Sequence, residues 1–310
     1  MHDQQTTIKS RVSLSGTGVH SGKSVSVHFS PADADTGVVF HLLSDAGVTE
    51  IRALHSEVGS TDLSTVLGDP SGAHVATVEH LMATLLGLGI DNIVIEIDGS
   101  EVPILDGSAA LFVDAFEHAG IERLAARRRY IRVVKPVRIE SGGSWAEFQP
   151  HDGTRFEIEI DFDSPAIGCQ SLSIDLDPAR FRDVARARTF GFMKDVERLW
   201  AAGLALGSSL ENSVVIGDDH RIINMEGLRY PDEFVRHKTL DAMGDLALAG
   251  ARFIGCFRSY RGGHRLNAAA LRRLLTDSSA YQIVETSRRE RSRAAEMSAV
   301  AGPLHAPSVR

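Results

Sequence analysis

His237-Lys238-Thr239-Leu240-Asp241-Ala242-Met243-Gly244-Asp245 is the stretch that most constrains the fold of this chain, and it lies within a predicted helix from Pro231 to Gly250. At about 100° of rotation per residue, His237, Asp241 and Asp245 fall within roughly an 80° arc of one helical face. A histidine and an aspartate four residues apart can bind one divalent ion, but two ligands do not complete a site. The stretch alone therefore leaves two interpretations open, part of a metal site or an exposed polar face.

The composition is that of a soluble globular protein, with 43% hydrophobic and 24% charged residues among 310. A net charge of -8 gives no general attraction to nucleic acid, so we expect no nucleic-acid partner. No segment approaches the ~18 apolar residues of a membrane span, and the N-terminus lacks the pattern of a signal peptide. These features predict a cytoplasmic protein without stable membrane insertion.

Only two cysteines occur, Cys169 and Cys256, and they are far apart in the sequence. Neither a disulfide framework nor a thiolate zinc site is expected from this spacing. Any metal must therefore be held by histidine and carboxylate side chains.

The glycine-rich segment 16–24 ends in Gly-Lys-Ser, as a phosphate-binding loop does. That motif needs glycine at position 17, where the chain has Thr17, and it needs a following helix. Here the alternation of Val25, Val27 and Phe29 with polar residues predicts a strand instead. We therefore predict a hairpin turn, which could also present His20 to a site.

A second helix is predicted after Thr77, its candidate N-cap, and it contains Glu79 and His80 in its first turn. A neutral histidine can ligate a metal, and an adjacent carboxylate that is not a ligand can take a proton from metal-activated water. The other interpretation is an acidic residue placed favourably near the positive end of the helix dipole. The dipeptide alone does not decide between them.

The chain divides near its arginine run, which we interpret as a solvated linker between two halves. The second half repeats the order of strands and helices of the first, and Ile90–Ile95 has a weak echo in Leu210–Ile216. The first half also contains a predicted helix from Ala109 to Ala119 capped by Ser108, after a turn at Asp106. The predicted units are 1–126, 127–286 and a flexible tail, 287–310.

Seven segments stand in a fixed order along the chain: Gly16-Thr17-Gly18-Val19-His20-Ser21-Gly22, Thr77-Val78-Glu79-His80, Gly89-Ile90-Asp91-Asn92, Asp106-Gly107-Ser108-Ala109, Arg186-Ala187-Arg188-Thr189-Phe190-Gly191, Glu233-Phe234-Val235-Arg236-His237-Lys238-Thr239-Leu240-Asp241 and Gly263-His264. In these segments the chain resembles the bacterial UDP-3-O-acyl-N-acetylglucosamine deacetylase family, in register from about Thr6 to about Val284. That family performs the committed step of lipid A synthesis in Gram-negative bacteria.

The resemblance implies an α+β fold. Two β-α-α-β domains would form a sandwich with helices packed between two outer sheets, and each domain would carry a small insert, near Val38–Leu67 and near Phe190–Val215. The site would lie in the cleft between the domains.

The resemblance also implies one catalytic zinc ion bound by His80, His237 and Asp241, with water in the open position. Iron(II) is an alternative occupant, because a site of two histidines and one aspartate can hold either metal.

The catalytic groups implied by the resemblance are Glu79 as general base, His264 as the protonated acid for the leaving amine, Thr189 as a donor to the oxyanion and Asp245 as the orienting partner of His264. Amide hydrolysis needs each of these functions, namely an activated water, a stabilised oxyanion and a protonated leaving group.

The implied substrate, UDP-3-O-acyl-N-acetylglucosamine, needs a surface for each of its parts. Lys238 and Arg261 are expected to contact phosphate or sugar, and Asp161-Phe162 matches the stretch where the family binds uracil. The segment from Phe190 to Leu206, including Phe192, would form a hydrophobic passage for the acyl chain. From the residues alone, an ordinary amphipathic helix is the preferred interpretation of this segment. Transient contact with a membrane is left open.

One departure concerns Ser144, which precedes Trp-Ala-Glu-Phe where the family often has a lysine. A basic contact to the substrate is therefore missing there or supplied by another residue. The alternative function is a non-catalytic, metal-stabilised sugar-nucleotide binding protein on the same scaffold. The presence of Glu79, Thr189 and His264 favours the enzyme.

Overall fold

In the computed structural model, which describes residues 4–45 and 47–285, the first half of the chain forms ten strands, two α-helices and a 3-10 turn at His55–Glu57. The strands are β1 (Gln4–Ile8), β2 (Val12–Thr17), β3 (Ser24–Pro31), β4 (Val38–Ser44), β5 (Gly47–Arg52), β6 (Val58–Ser60), β7 (Val66–Gly68), β8 (His74–Val75), β9 (Ile93–Ile97) and β10 (Ile121–Arg127). The helices are α1 (Glu79–Leu88) and α2 (Ala110–Ala119).

The second half continues with strands and helices in a similar order. Its strands are β11 (Arg129–Val133), β12 (Val137–Ser141), β13 (Ser144–Gln149), β14 (Thr154–Asp161), β15 (Cys169–Asp175), β16 (Phe190–Phe192), β17 (Val214–Ile216), β18 (Arg252–Tyr260) and β19 (Tyr281–Glu285). Its helices are α3 (Pro178–Ala185), α4 (Met193–Ala201), α5 (Glu233–Ala247) and α6 (His264–Thr276).

The two large sheets share one strand order. The first sheet runs β2-β3-β9-β4-β5, with β4 parallel to β9 and the other pairs antiparallel. The second contains β12-β13-β18-β14-β15, in which β14 is parallel to β18, and β11 and β19 extend the sheet beside the first residues of β18. In each half one strand, β9 or β18, lies between two helices along the chain. The predicted repetition of the two halves therefore holds in the order of the strands.

The sequence echo noted above does not mark equivalent strands. Ile90–Ile95 runs into β9, whose counterpart by sheet position is β18, whereas Leu210–Ile216 ends in the short strand β17. The similarity between these two segments therefore does not align equivalent strands of the two halves. Buried strands share runs of apolar residues wherever they lie in a fold.

Helices α1 and α5 pack on each other between the two halves, while α2 contacts β2 and α6 contacts β12 and β13. One continuous hydrophobic cluster contains buried residues from both halves, among them Phe29 and Leu81 from the first and Phe148 and Leu240 from the second. The predicted α+β class is confirmed. Each half carries a small additional unit between its strands and its central helix.

The positions of these inserts differ in part from the prediction. In the first half, β4 and β5 belong to the main sheet, and the insert is the three-stranded sheet β6-β7-β8 that follows them. The predicted segment Val38–Leu67 therefore began too early. In the second half, β16 and β17 form a parallel pair around α4, in agreement with the predicted segment Phe190–Val215.

Two local predictions were wrong. Thr77 is not the N-cap of α1, since Val78 holds that position, and Thr77 has a φ of 57 and donates its hydroxyl hydrogen bond to Glu101 Oε1 at 3.0 Å. The arginine run is not a solvated linker, because Arg128 is 5% exposed and its guanidinium binds the Asp91 carboxylate. In both cases a partner distant in sequence decides the local structure.

The helix predicted from Ala109 begins at Ala110, and its N-cap is Ala109 and not the predicted Ser108. Ser108 Oγ accepts a hydrogen bond from the Ala110 N–H at 3.1 Å. The division of the chain into units 1–126 and 127–286 stays a prediction. The predicted tail, 287–310, lies outside the described residues.

No helix among the described residues is long and apolar enough to cross a lipid bilayer.

Gly244 permits the close packing of α1 on α5. A Cβ atom added at Gly244 would lie 1.9 Å from the backbone oxygen of Glu79, so the two helices could not keep their present separation. Gly244 lies within α5 and needs no unusual φ, so the requirement is one of space.

We expect Gly244→Ala to lower stability by about 1–3 kcal/mol, because the overpacking strain exceeds the gain of about 1 kcal/mol in helix propensity. Thermal unfolding followed by circular dichroism measures the effect. Gly191→Ala is the matched control, since a Cβ there meets no described atom within 4 Å. Equal melting temperatures for the two variants would contradict this role of Gly244.

Candidate metal centre

The polar face of α5 is buried against α1. His237, Asp241 and Asp245 lie on one side of the helix, as predicted, with exposed fractions of 3%, 3% and 2%. The interpretation as an exposed polar face is therefore wrong. Glu79 and His80, each 4% exposed, approach the same face from the first turn of α1.

Three side chains form a compact group of candidate metal ligands. Asp241 Oδ1 lies 3.4 Å from His237 Nε2 and 3.6 Å from His80 Nε2, and the candidate ligand atoms of the three residues are all within 4.8 Å of one another. Ligands about 2.1 Å from a tetrahedral zinc ion are separated by about 3.4 Å. The spacing of the two nitrogens from the carboxylate oxygen thus fits a single zinc-sized ion.

The protonation of this group suits ligation. His237 Nδ1 donates to the backbone oxygen of Ala187 at 3.0 Å, which leaves the lone pair of Nε2 directed at the site. Burial lowers the pKa of His237 to about 4, so its ring is neutral. Burial alone would raise the pKa of Asp241, but the adjacent Lys238 ammonium helps to hold it well below its usual value. Lys238 Nζ lies 2.6 Å from Asp241 Oδ2.

A buried ion pair holds the loop that supplies the carbonyl group of Ala187. The Arg188 side chain is 2% exposed and that of Glu233 is 0% exposed, and Arg188 Nε donates to Glu233 Oε1 at 2.9 Å. The backbone N–H of Arg188 donates to the same oxygen at 3.0 Å. Because Glu233 opens α5, this pair fixes the loop beside the first turn of the helix that carries His237.

No role for Arg188 or Glu233 follows from the local sequence. Arg188 lay within a family motif, but only its neighbour Thr189 was singled out. The two partners are 45 residues apart, and no local pattern links them.

Glu79 lies beside the three candidate ligands without belonging to their group. One carboxylate oxygen accepts a hydrogen bond from the backbone N–H of Thr65 at 3.1 Å, and the other is 3.9 Å from His264 Nε2. Burial raises the pKa of Glu79. This carboxyl group is therefore held in place and poised to accept a proton.

His264, at the start of α6, faces carboxylates on three sides. Its Nδ1 is 3.0 Å from Asp245 Oδ2, and its Nε2 is 3.9 Å from Glu79 and 4.0 Å from Asp241. Burial alone would lower the pKa of His264, but the Asp245 and Glu79 carboxylates raise it to about 9. The ring is therefore protonated at neutral pH.

Asp245 is held by two further residues that the sequence analysis missed. Thr65 Oγ1 donates to Asp245 Oδ1 at 2.5 Å, and Asn267 Nδ2 donates to Oδ2 at 2.8 Å. Thr65 comes from the insert of the first half and Asn267 from α6, so only folding brings them together.

Three phenylalanines that were predicted to contact the substrate lie together beside the candidate metal ligands. The Phe190 ring lies 6.3 Å from that of His237 and 5.7 Å from that of Phe162, and Phe162 lies 6.3 Å from Phe192. These three phenylalanines form an apolar surface that begins at a candidate ligand. Thr189, just before Phe190, is fixed through its backbone by hydrogen bonds to Gly107 and Val214.

Two other predicted substrate contacts bind each other. Arg261 Nη2 donates to Asp161 Oδ2 at 2.8 Å, and Tyr260 donates to the same oxygen at 2.8 Å. Asp106, which was predicted to lie in a turn, accepts hydrogen bonds from Ser108 in that turn and pairs with Arg229 at 2.9 Å.

The hairpin around His20 is tied to both halves of the chain. The Glu101 carboxylate accepts from the backbone N–H groups of His20 and Ser21 at 2.9 and 2.8 Å. The carbonyl oxygen of His20 in turn accepts from the Leu206 N–H at 3.1 Å. The hairpin therefore connects the first half to the segment between α4 and β17, within the insert of the second half.

Comparison with known proteins gives a consistent result. Residues 5–276 match the family model described as UDP-3-O-acyl N-acetylglycosamine deacetylase. Proteins from Brucella ovis and Brucella canis are each 58% identical over 286 residues, and one from Brucella melitensis biotype 2 is 57% identical. Each match covers 92% of this chain and 100% of the relative, and all three relatives bear the name UDP-3-O-acyl-N-acetylglucosamine deacetylase.

The geometry predicts which variants lose metal. If the three candidate ligands hold one zinc ion, we expect His237→Ala to lose most of it, because one of the three is removed, whereas Glu79→Gln keeps about one ion per chain. Elemental analysis of the purified proteins after dialysis measures the stoichiometry. Equal zinc content in the two variants would show that ligand and base have been assigned wrongly.

The buried ion pair makes a separate prediction for stability. Arg188→Met leaves the Glu233 carboxylate buried without its guanidinium, and we expect a loss of about 3–5 kcal/mol. The double variant Arg188→Met/Glu233→Met removes both charges and should recover part of that loss. Urea denaturation of the two variants and the parent gives the comparison. A double variant less stable than Arg188→Met would argue against an uncompensated charge as the cause.

Proposed function

Because this chain belongs to the UDP-3-O-acyl-N-acetylglucosamine deacetylase family, we propose that it hydrolyses the N-acetyl group of UDP-3-O-(3-hydroxyacyl)-N-acetylglucosamine and releases acetate. It is an amide hydrolase of lipid A biosynthesis. The observation that carries the proposal is the buried group of His80, His237 and Asp241, with the carboxylate of Glu79 and the cationic ring of His264 beside it.

His80, His237 and Asp241 would hold one zinc ion. Two imidazole nitrogens and a carboxylate oxygen are a donor set that zinc accepts in catalytic sites, and iron(II) is also compatible with it. A zinc ion held there supplies Lewis acidity, which polarises the acetamide carbonyl and acidifies water.

Glu79 is the general base in this proposal. Its carboxylate adjoins the candidate ligand His80, and the backbone N–H of Thr65 holds one of its oxygens. Burial raises the pKa of Glu79, which makes the carboxylate a better proton acceptor for the attacking water. Glu79 then transiently carries the proton that the water loses.

His264 is the general acid. Its Nδ1 is engaged by Asp245, so the proton on Nε2 is available to the leaving amine of the glucosamine. Asp245 holds the ring in this orientation and favours its cationic form, while Thr65 and Asn267 hold Asp245. Transfer of this proton from His264 to the amine nitrogen allows the amide C–N bond to break, because an unprotonated amine is a poor leaving group.

Thr189 would donate its hydroxyl hydrogen bond to the oxyanion that forms at the acetamide carbon. Its backbone is hydrogen-bonded on both sides, and the adjacent Arg188 is locked by Glu233, so the residue is held in a fixed position. Lys238, paired with Asp241, presents a cation close to the same centre.

The acyl chain is proposed to lie along Phe190, Phe192 and the insert that contains α4. An ordinary amphipathic helix would bury its apolar face in the core, yet α4 has no buried residue, and Met193 is 41% exposed. This observation favours an apolar face reserved for a ligand. Transient membrane contact and a cytoplasmic location stay predictions.

The uridine diphosphate is proposed to bind near Phe162, Asp161 and Arg261. Phe162 offers a ring on which uracil can stack. The pair of Arg261 with Asp161 holds the guanidinium at the surface, where it can meet a phosphate or sugar. Ser144, at the start of β13, adds no cation there.

A non-catalytic sugar-nucleotide binding protein is the alternative function. It would need the metal group and the apolar surface but not the paired base and acid. Glu79 and His264 face each other across 3.9 Å at the edge of the metal group, which favours catalysis.

We expect acetate release from UDP-3-O-acyl-N-acetylglucosamine to stop on treatment with a chelator and to return when zinc is added. Glu79→Gln should lower kcat at least a hundredfold with little change in KM, because general base catalysis is worth about 10²–10⁴-fold. A coupled acetate assay measures both. The matched control is Glu57→Gln, an exposed acid outside the candidate site that should keep full activity. Turnover that survives complete metal removal would overturn the mechanism.

A further inference from the structure

A turn of the first half, residues 106–109, packs on the Thr189 loop of the second half, which joins α3 to β16. The Thr189 N–H donates to the Gly107 carbonyl oxygen at 2.8 Å, and the Ala109 N–H donates to the Ala185 carbonyl oxygen at 2.8 Å. Two backbone hydrogen bonds therefore join the turn to the two ends of this loop. The position of Thr189 is thus set by the other half of the chain as well as by its own.

This contact leaves no space for a side chain at the second residue of the turn. A Cβ atom added at Gly107 would lie 1.9 Å from the Asn212 carbonyl oxygen, and Gly107 has a φ of 80°, which favours glycine. Asn212 precedes β17, where the Val214 N–H donates to the Thr189 carbonyl oxygen at 2.8 Å. The backbone of Thr189 therefore lies between the turn on one side and β17 on the other.

Arg229 ties the turn to the Thr189 loop through one nitrogen atom. Its Nη1 donates to Asp106 Oδ2 and to the Arg186 carbonyl oxygen, each at 2.9 Å, and it lies 3.4 Å from Ser108 Oγ. Asp106 belongs to the first half and Arg186 to the loop, so one guanidinium bridges the two halves beside Thr189. The Arg229 and Asp106 side chains are 29% and 25% exposed, and this partial shielding from water strengthens their Coulomb attraction.

The backbone of Arg229 holds the same loop from a second direction. Its N–H donates to Glu233 Oε2 at 2.6 Å, and the other carboxylate oxygen of Glu233 accepts from the Arg188 N–H at 3.0 Å. Hydrogen bonds to an ionised carboxylate are stronger than those between neutral groups. Arg229 is thus connected to the loop at Arg186 by its side chain and at Arg188, the residue before Thr189, through Glu233.

We propose that Arg229 is a positioning residue for amide hydrolysis, which holds the Thr189 loop against the turn so that the Thr189 hydroxyl is aimed at the oxyanion. The inference rests on the proposed function, because it needs Thr189 to be the oxyanion donor. Such a donor is most effective when it is in place before the charge develops, since reorientation at that moment costs free energy. Thr189 is half-buried, so its hydroxyl can face a ligand while its backbone is held. Arg229 acts through Thr189 and not by contact with the substrate.

Two substitutions break this bridge in different ways. Arg229→Met removes Nη1 and keeps a long side chain. Asp106→Asn removes the acceptor Oδ2 but keeps Oδ1, which accepts from the Ser108 N–H at 3.1 Å and from Ser108 Oγ at 2.8 Å, so the turn itself is preserved. In Arg229→Lys, the ammonium group can replace the single nitrogen that makes the side-chain contacts described above.

We expect Arg229→Met and Asp106→Asn to lower kcat for acetate release about tenfold with KM within about twofold of the parent, because a misplaced donor loses part of the roughly 10²–10³-fold that an oxyanion donor contributes. Arg229→Lys should recover most of the loss. The matched control is Arg182→Met, which removes another ion pair between the halves. There Arg182 Nε binds Glu117 at 3.0 Å and Nη1 binds the Pro178 carbonyl oxygen at 2.8 Å. This control should keep the parent kcat.

A double-mutant cycle separates positioning from general destabilisation. In a Thr189→Val background, Arg229→Met should lower kcat by less than about twofold, because the donor that Arg229 positions is already absent. The same cycle with Asp106→Asn gives the answer even where Arg229→Met does not fold. A further tenfold loss in the Thr189→Val background would overturn the proposal. So would a parent-like kcat in both single variants while the parent releases acetate. A zinc-loaded parent that releases no acetate refutes the proposed function itself, and the positioning role falls with it.

Hydrogen exchange gives a readout that does not depend on turnover. The Thr189 amide donates to Gly107, and this hydrogen bond should open more often once Arg229 no longer holds the loop. We expect the Thr189 amide of the zinc-loaded protein to exchange about tenfold faster in Arg229→Met than in the parent or in Arg182→Met, as measured by nuclear magnetic resonance. Equal exchange rates in all three proteins would contradict the positioning role.

Discussion

The close packing of α1 on α5 is the constraint on which the rest of the structure depends. Gly244 leaves space for the backbone oxygen of Glu79, and this contact places the first turn of one helix against the polar face of the other. Glu79 and His80 therefore meet His237 and Asp241 in a buried position, although they belong to different halves of the chain. A larger residue at the crossing would move Glu79 and His80 away from His237 and Asp241.

Burial then decides the chemistry of each group at this crossing. His237, with its Nδ1 bound to a backbone carbonyl, has its pKa lowered to about 4, whereas the carboxylates around His264 raise its pKa to about 9. Two histidines on neighbouring elements are thus neutral and cationic at the same pH. Such a divergence suits His237 to the proposed role of metal ligand and His264 to that of proton donor, and it arises from surroundings that the tertiary structure supplies.

The repeated strand order explains where these features lie. Each half places one helix before the central strand of its sheet, α1 before β9 and α5 before β18, and these two helices pack on each other. The metal group forms where the first turn of α1 crosses the middle of α5.

The sequence by itself determined the features that depend on local geometry. Helical periodicity placed His237 and Asp241 on one face, alternation predicted β3, and the ordered motifs indicated the family and its site residues. Only the tertiary structure decided that this face is buried, that Arg188 pairs with Glu233 and that Arg128 is not a linker residue. The reason is physical: local pattern fixes the direction of a side chain within its element, whereas burial and partners depend on contacts between elements far apart in the chain.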